Sequence, residues 1–99
     1  MENGYKILWT DHALKELADT YEYLKIHFSE RELKRLSTEL HNTLNLISRN
    51  PFLFPLSENK KVRKVVIRKF NTMYYREKQN HIEILSFFSN RQNPNKRKI

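Results

Sequence analysis

The residues best equipped for chemistry in this 99-residue chain are cationic and aromatic, and they gather in its second half: Arg63, Lys64, Arg68, Lys69, Tyr74, Tyr75, Arg76 and Arg91. Guanidinium and ammonium groups hold phosphates and tyrosine rings stack on bases, so the set suits RNA, and it equally suits an acidic protein surface. Cleavage of RNA through its 2′-hydroxyl asks for more: a general base, a general acid, and cations that stabilise the pentacoordinate phosphate. Arg63 and Arg91 can serve the third task. Arginine holds its proton too tightly for the first two, which leaves Tyr74, Tyr75, Lys64 and Lys69, each in need of a shifted pKa.

Other chemistries are excluded by residue type. There is no cysteine, so no disulfide, thiolate metal site or cysteine nucleophile is possible. The sole glycine is Gly4, which rules out a glycine-rich phosphate loop. His12, His27, His41 and His81 fall on different predicted elements without ligand spacing and are expected at the surface, so no metal or cofactor is expected. No serine lies in a Gly-x-Ser-x-Gly turn.

Charge separates the two halves of the chain. The protein carries a formal +8, yet residues 1–50 hold 7 Lys and Arg against 8 Asp and Glu, while residues 51–99 hold 12 against 3. A basic half attracts polyanions and speeds encounter with them. The acids of that half are Glu58, Glu77 and Glu83, the last two expected on outward strand positions beside cations. The first residues lack a basic segment followed by an apolar run, and no apolar stretch approaches the roughly 18 residues of a membrane helix. A cytoplasmic address is therefore expected.

The elements that must position these side chains follow from periodicity. Tyr5, Ile7 and Trp9 alternate with Lys6 and Leu8, which predicts a strand. Thr10 or Asp11 can cap a helix whose apolar stripe is Leu14, Leu17, Tyr21, Leu24 and Phe28, with Lys15, Glu16, Asp19, Glu22 and Lys25 outside. Ser29-Glu30-Arg31-Glu32 has the form of a capping box, so a second helix starts near residue 30. Its stripe is Leu33, Leu36, Leu40, Leu44 and Ile47, and Asn50-Pro51 ends it. With so short a junction the helices form an antiparallel hairpin.

Past a loop through Lys61 the period changes to two. Val62 to Lys69, Asn71 to Glu77 and His81 to Ser89 predict three strands in an antiparallel meander. The expected fold is α+β, in the order β-α-α-β-β-β, with both helices on one face of the sheet and much of the positive charge on the other. One domain spans residues 1–99, with 90–99 a basic tail containing Arg91, Lys96, Arg97 and Lys98.

Several local strings, in this order, resemble the RelE/ParE superfamily of bacterial toxins from type II toxin-antitoxin systems. Tyr5-Lys6-Ile7-Leu8-Trp9-Thr10 with Ala13 and Leu17 is similar to the superfamily's opening strand and first helix. Leu46, Asn50-Pro51 and Phe54-Pro55 resemble its helix exit and loop. Val62-Arg63-Lys64-Val65-Val66 followed by Tyr74-Tyr75-Arg76 resembles its central hairpin, and Ile82 through Pro94 its last strand and exit. The resemblance spans nearly the whole chain.

The superfamily holds ribosome-dependent mRNA endonucleases and ParE-type members that poison DNA gyrase without cleaving RNA. In the endonucleases an arginine three residues before the strand tyrosine carries phosphate chemistry, and Thr72 stands there in this chain. Some endonucleases place a histidine at the end of the last strand, where this chain has Ser89, with Arg91 two residues on. Arg63 and Arg91 match basic positions common to both branches.

The resemblance thus implies a ParE-like toxin that binds a target such as gyrase through Arg63, Lys64, Arg76, Arg91, Lys96, Arg97 and Lys98, and is neutralised by a cognate antitoxin. An mRNA endonuclease acting at the ribosome with Arg63, Arg91, Tyr74 and Tyr75, or a non-toxic nucleic-acid-binding domain, are the competing expectations.

Overall fold

A computed structural model describes residues 4–59 and 61–90 of the chain. Strand β1 (Lys6–Trp9) leads into helices α1 (Asp11–His27) and α2 (Glu30–Arg49), and strands β2 (Arg63–Ile67), β3 (Asn71–Lys78) and β4 (His81–Ser89) follow. The expected order holds. The sheet order is β1-β4-β3-β2, with β1 parallel to β4 and the other pairs antiparallel. The meander is antiparallel as expected, but β1 makes the whole sheet mixed.

Local signals set the helix ends. The Thr10 hydroxyl accepts from the Ala13 amide at 3.1 Å and starts α1; the Ser29 hydroxyl accepts from the Glu32 amide at 3.2 Å and starts α2. Two residues, Phe28 and Ser29, make the turn between the helices. At the other end, Tyr5 is clamped to α2: its amide donates to the Ser48 carbonyl and its carbonyl accepts from the Ser48 hydroxyl, both at 2.8 Å. A Cβ at Gly4 would overlap that hydroxyl, so any larger residue here would displace the Ser48 side chain from its bond to Tyr5.

One face of the sheet carries the core. Leu24, Leu36, Leu40 and Ile47 from the helices pack on Val65, Ile67, Met73, Tyr75, Ile82, Ile84 and Phe87. Each fully buried aliphatic or aromatic side chain here contributes about 1.5–3 kcal/mol. On α2 the predicted stripe is the observed one. On α1 it is turned by part of a face: Leu17, Tyr21 and Leu24 pack on the core as predicted and are joined by buried Ala13 and Thr20, whereas Leu14 is 47% and Phe28 40% exposed. Glu16, expected outside, turns inward because β1 ends at Trp9 and leaves the edge of β4 bare beyond Ile84. Its Oε1 accepts from the Phe87 amide and the Ser86 hydroxyl, both at 2.8 Å, satisfying backbone that has no strand partner.

No helix among the described residues is long and apolar enough to cross a membrane. Lys78 pairs with His81, so Gln79 and Asn80 form a two-residue hairpin loop in which Gln79 has φ 57°. That is left-handed backbone, where a side chain costs energy that glycine avoids. Gln79→Gly is expected to raise the unfolding free energy by about 0.5–1 kcal/mol in urea titrations; a decrease would mean that the side chain, not the turn, matters.

Candidate functional site

Side-chain alternation along β3 decides where the sequence-predicted residues go. Tyr75 pairs with Arg63 and Ile84 on the helix side, while Tyr74 pairs with Lys64 and Ser86 on the opposite side. The two tyrosines therefore cannot serve one reaction centre on one face. Tyr75 is fully buried and donates its hydroxyl to the Pro51 carbonyl at 3.0 Å. Burial pushes its phenol pKa up, against weaker downward effects of hydrogen bonding at Phe54 and the Arg63 charge. It remains a protonated donor at neutral pH. Tyr74 is 8% exposed and stacks on Phe88 with ring centroids 6.1 Å apart.

Arg63 is anchored rather than free. Its Nη1 donates to the Phe54 carbonyl at 2.7 Å and its guanidinium lies 5.2 Å from the centre of the Phe52 ring. The backbone around it is fixed too: the Lys64 amide donates to the Pro55 carbonyl at 3.1 Å, and Leu56 forms an isolated bridge with Arg63. The proline-bracketed segment from Pro51 to Leu56 thus lies along the start of β2.

Beyond Arg63, β3 overhangs β2 by Arg76, Glu77 and Lys78. Between this overhang and the proline segment is a cavity of about 330 Å³. Four cations line it, Lys61, Arg63, Arg76 and Lys78, together with Phe52 and Leu56 and one acid, Glu77. Arg76 is bonded through Nε to Glu83 Oε1 at 2.8 Å, and this bond leads the effects that hold the Glu83 carboxyl below its ordinary range. Glu83 takes the outward, cation-paired place expected of it. Glu77 does not: its row is that of Tyr75 and Ile82, on the helix side, because an even number of steps along β3 keeps the same face.

Of the target-binding set, Arg63 and Arg76 come together here, whereas Lys64 projects exposed from the other face of β2. Arg91, Lys96, Arg97 and Lys98 lie outside the described residues. Thr72 is 6% exposed and pairs with Val66 and Phe88; Ser89 is 3% exposed and pairs with Asn71. Lys61, Lys78, Phe52 and Leu56 were missed by the sequence reading. The proline-bracketed aromatic string beside a basic strand was the signal for the last two. Among the described residues no group of three or more His, Asp or Glu could hold a metal ion.

The Tyr75 to Pro51 bond makes a structural test possible. Tyr75→Phe is expected to lower the unfolding free energy by about 1–2 kcal/mol, since it strips a buried carbonyl of its donor, and to leave growth arrest on expression intact. Arrest abolished at unchanged stability would return the hydroxyl to the chemistry.

The sequence matches a family model described as the ParE toxin of the type II toxin-antitoxin system parDE, over residues 7–94. A search of curated proteins gave no significant match. Among solved structures the fold is similar to a chain from the chromosomal ParDE toxin-antitoxin system of P. aeruginosa, with a TM-score of 0.71 and 16% identity over 86% of this chain and 95% of that one. At that identity the structural likeness is one of fold, and the family model, which covers most of the chain, carries the assignment. The strand, helical hairpin and meander, and the match over residues 7–94, establish that this chain belongs to the ParE toxin family.

Proposed function

We propose that this chain is the toxin of a type II pair, that it arrests growth in the cytoplasm by binding a protein target, DNA gyrase, and that a cognate antitoxin neutralises it. The observation that carries this reading is that Tyr74 and Tyr75 lie on opposite faces of the sheet and that Tyr75, beside Arg63, is committed to the core. Tyr75 is locked in the core, Tyr74 lies stacked on the other face, and Arg63 is tied to Phe54; the superfamily resemblance further implies that Thr72 stands where endonucleases carry an arginine. With neither tyrosine free to transfer a proton at the cationic cavity, binding is the work this geometry supports best.

The cavity has the composition of a protein-docking site. Phe52 and Leu56 are 57% and 46% exposed, and cations surround them. Apolar anchors with a charged rim are the usual makeup of an energetically dense interface. Arg91 and the tail residues Lys96, Arg97 and Lys98 would extend the contact, and Lys64 would broaden the positive field that steers an acidic target toward it. An antitoxin segment that is acidic and amphipathic would meet both the positive charge and the exposed Leu14, Ile26, Phe28 and Leu46 on the helices.

Lys61 and Lys78 are both exposed, so reversing their charge leaves the core intact. Purified wild-type protein is expected to inhibit supercoiling by gyrase, and Lys61→Glu/Lys78→Glu to weaken that inhibition by about tenfold or more at an unchanged melting temperature, through lost complementarity and slower encounter. Equal inhibition by both proteins would remove this cavity from the target interface, and no inhibition by either would remove gyrase as the target.

A further inference from the structure

A second basic cavity lies at the far end of β2, and its chemistry differs from the first. It has a volume of about 480 Å³ between α2 and the turn joining β2 to β3. Arg31, Lys34 and Arg35 line it from the helix and Arg68 from the turn, with Thr38 and Asn42 as neutral hydrogen-bonding groups. Residues 31, 35, 38 and 42 recur at helical spacing, so they share one face of α2. Arg31, Lys34 and Arg35 are exposed.

Arg68 is placed there at a conformational cost. Both Arg68 and Lys69 are left-handed, with φ of 54° and 74°. The Arg68 amide donates to Glu39 Oε2 at 3.4 Å and its Nη2 lies 3.5 Å from Glu32 Oε2, a long ion pair. Its Nε is buried and has no hydrogen-bond partner among the described residues. The guanidinium is thus held at the cavity wall. Against the four cations stand Glu39, which lines the cavity, and Glu32, so the site keeps a positive balance.

We propose that this face of α2, with Arg68, grips the phosphate backbone of double-stranded nucleic acid without regard to sequence. No apolar side chain lines the cavity. A protein partner would find no aromatic or aliphatic anchor there, whereas arginine, lysine, threonine and asparagine are residues that contact phosphates. From position 31 to 42 the helix rises about 16 Å, on the order of four to five steps along one DNA strand, which is room for two or three phosphate contacts. The site holds whether or not gyrase is the target of the toxin.

The test is fluorescence anisotropy of the full-length protein with a labelled 20-base-pair duplex of arbitrary sequence, between 50 and 200 mM salt. Arg31→Ala/Arg35→Ala is expected to weaken binding about tenfold or more and to flatten the slope of log affinity against log salt by about 2, roughly one unit per lost phosphate. Arg31→Lys/Arg35→Lys should keep the slope. Lys15→Ala/Lys25→Ala removes the same charge from exposed positions of α1 and should change affinity less than threefold. Equal losses in the α1 and α2 variants would reduce the effect to net charge and overturn the proposal. So would polyglutamate of matched charge binding as tightly as the duplex with the same dependence on Arg31 and Arg35, which would mark the face as one for acidic proteins.

Discussion

Arg63 and Tyr75 face each other across β2 and β3, and each gives a hydrogen to a carbonyl of the same irregular segment, Arg63 to Phe54 and Tyr75 to Pro51. Much of the candidate site depends on these two bonds. The segment from Pro51 to Leu56 leaves the helix at a proline and cannot join the sheet as a full strand, so its carbonyls need donors from elsewhere. Two side chains that read as catalytic in the sequence supply them. With the segment pinned, Phe52 and Leu56 are presented to solvent beside Lys61, Arg76 and Lys78 rather than folded into the core.

The same arrangement gives β2 two ends of unlike chemistry. At its start, apolar anchors mix with cations; at its close, Arg68 meets a cationic helix face that has no apolar member. Both are basic, and a count of charge alone would merge them. What separates them is the presence or absence of groups that gain by leaving water, which distinguishes a protein-docking surface from a phosphate grip. The strand between them, five residues at about 3.3 Å each, sets them on the order of 16 Å apart.

Much of the architecture was legible because its determinants are local. Thr10, Ser29 and Asn50-Pro51 mark helix ends by short-range hydrogen bonds and sterics, and the change of period after Lys61 marks the strands. The place of β1 was not legible: pairing with β4, some 75 residues away, is a long-range choice with no string of its own. The rotation of the α1 stripe has a similar cause, since Glu16 is drawn inward by the bare edge of β4. Tyr74 and Tyr75 hinged on a one-residue register that only the sheet decides, and the register shift between them, where Leu85 has no partner on β3, is invisible to alternation. The cationic face of α2 was hidden by averaging, because Arg31, Lys34 and Arg35 are offset by acids elsewhere in a half-chain of nearly neutral total charge.

The central proposal is that this ParE-family chain works by binding a target. The most direct test is primer extension across abundant transcripts after a short pulse of toxin expression without antitoxin. The account predicts growth arrest with transcripts intact. Discrete new 5′ ends that require active translation would contradict it, and would mean that proton transfer at RNA is carried out by groups other than the buried Tyr75 and the stacked Tyr74.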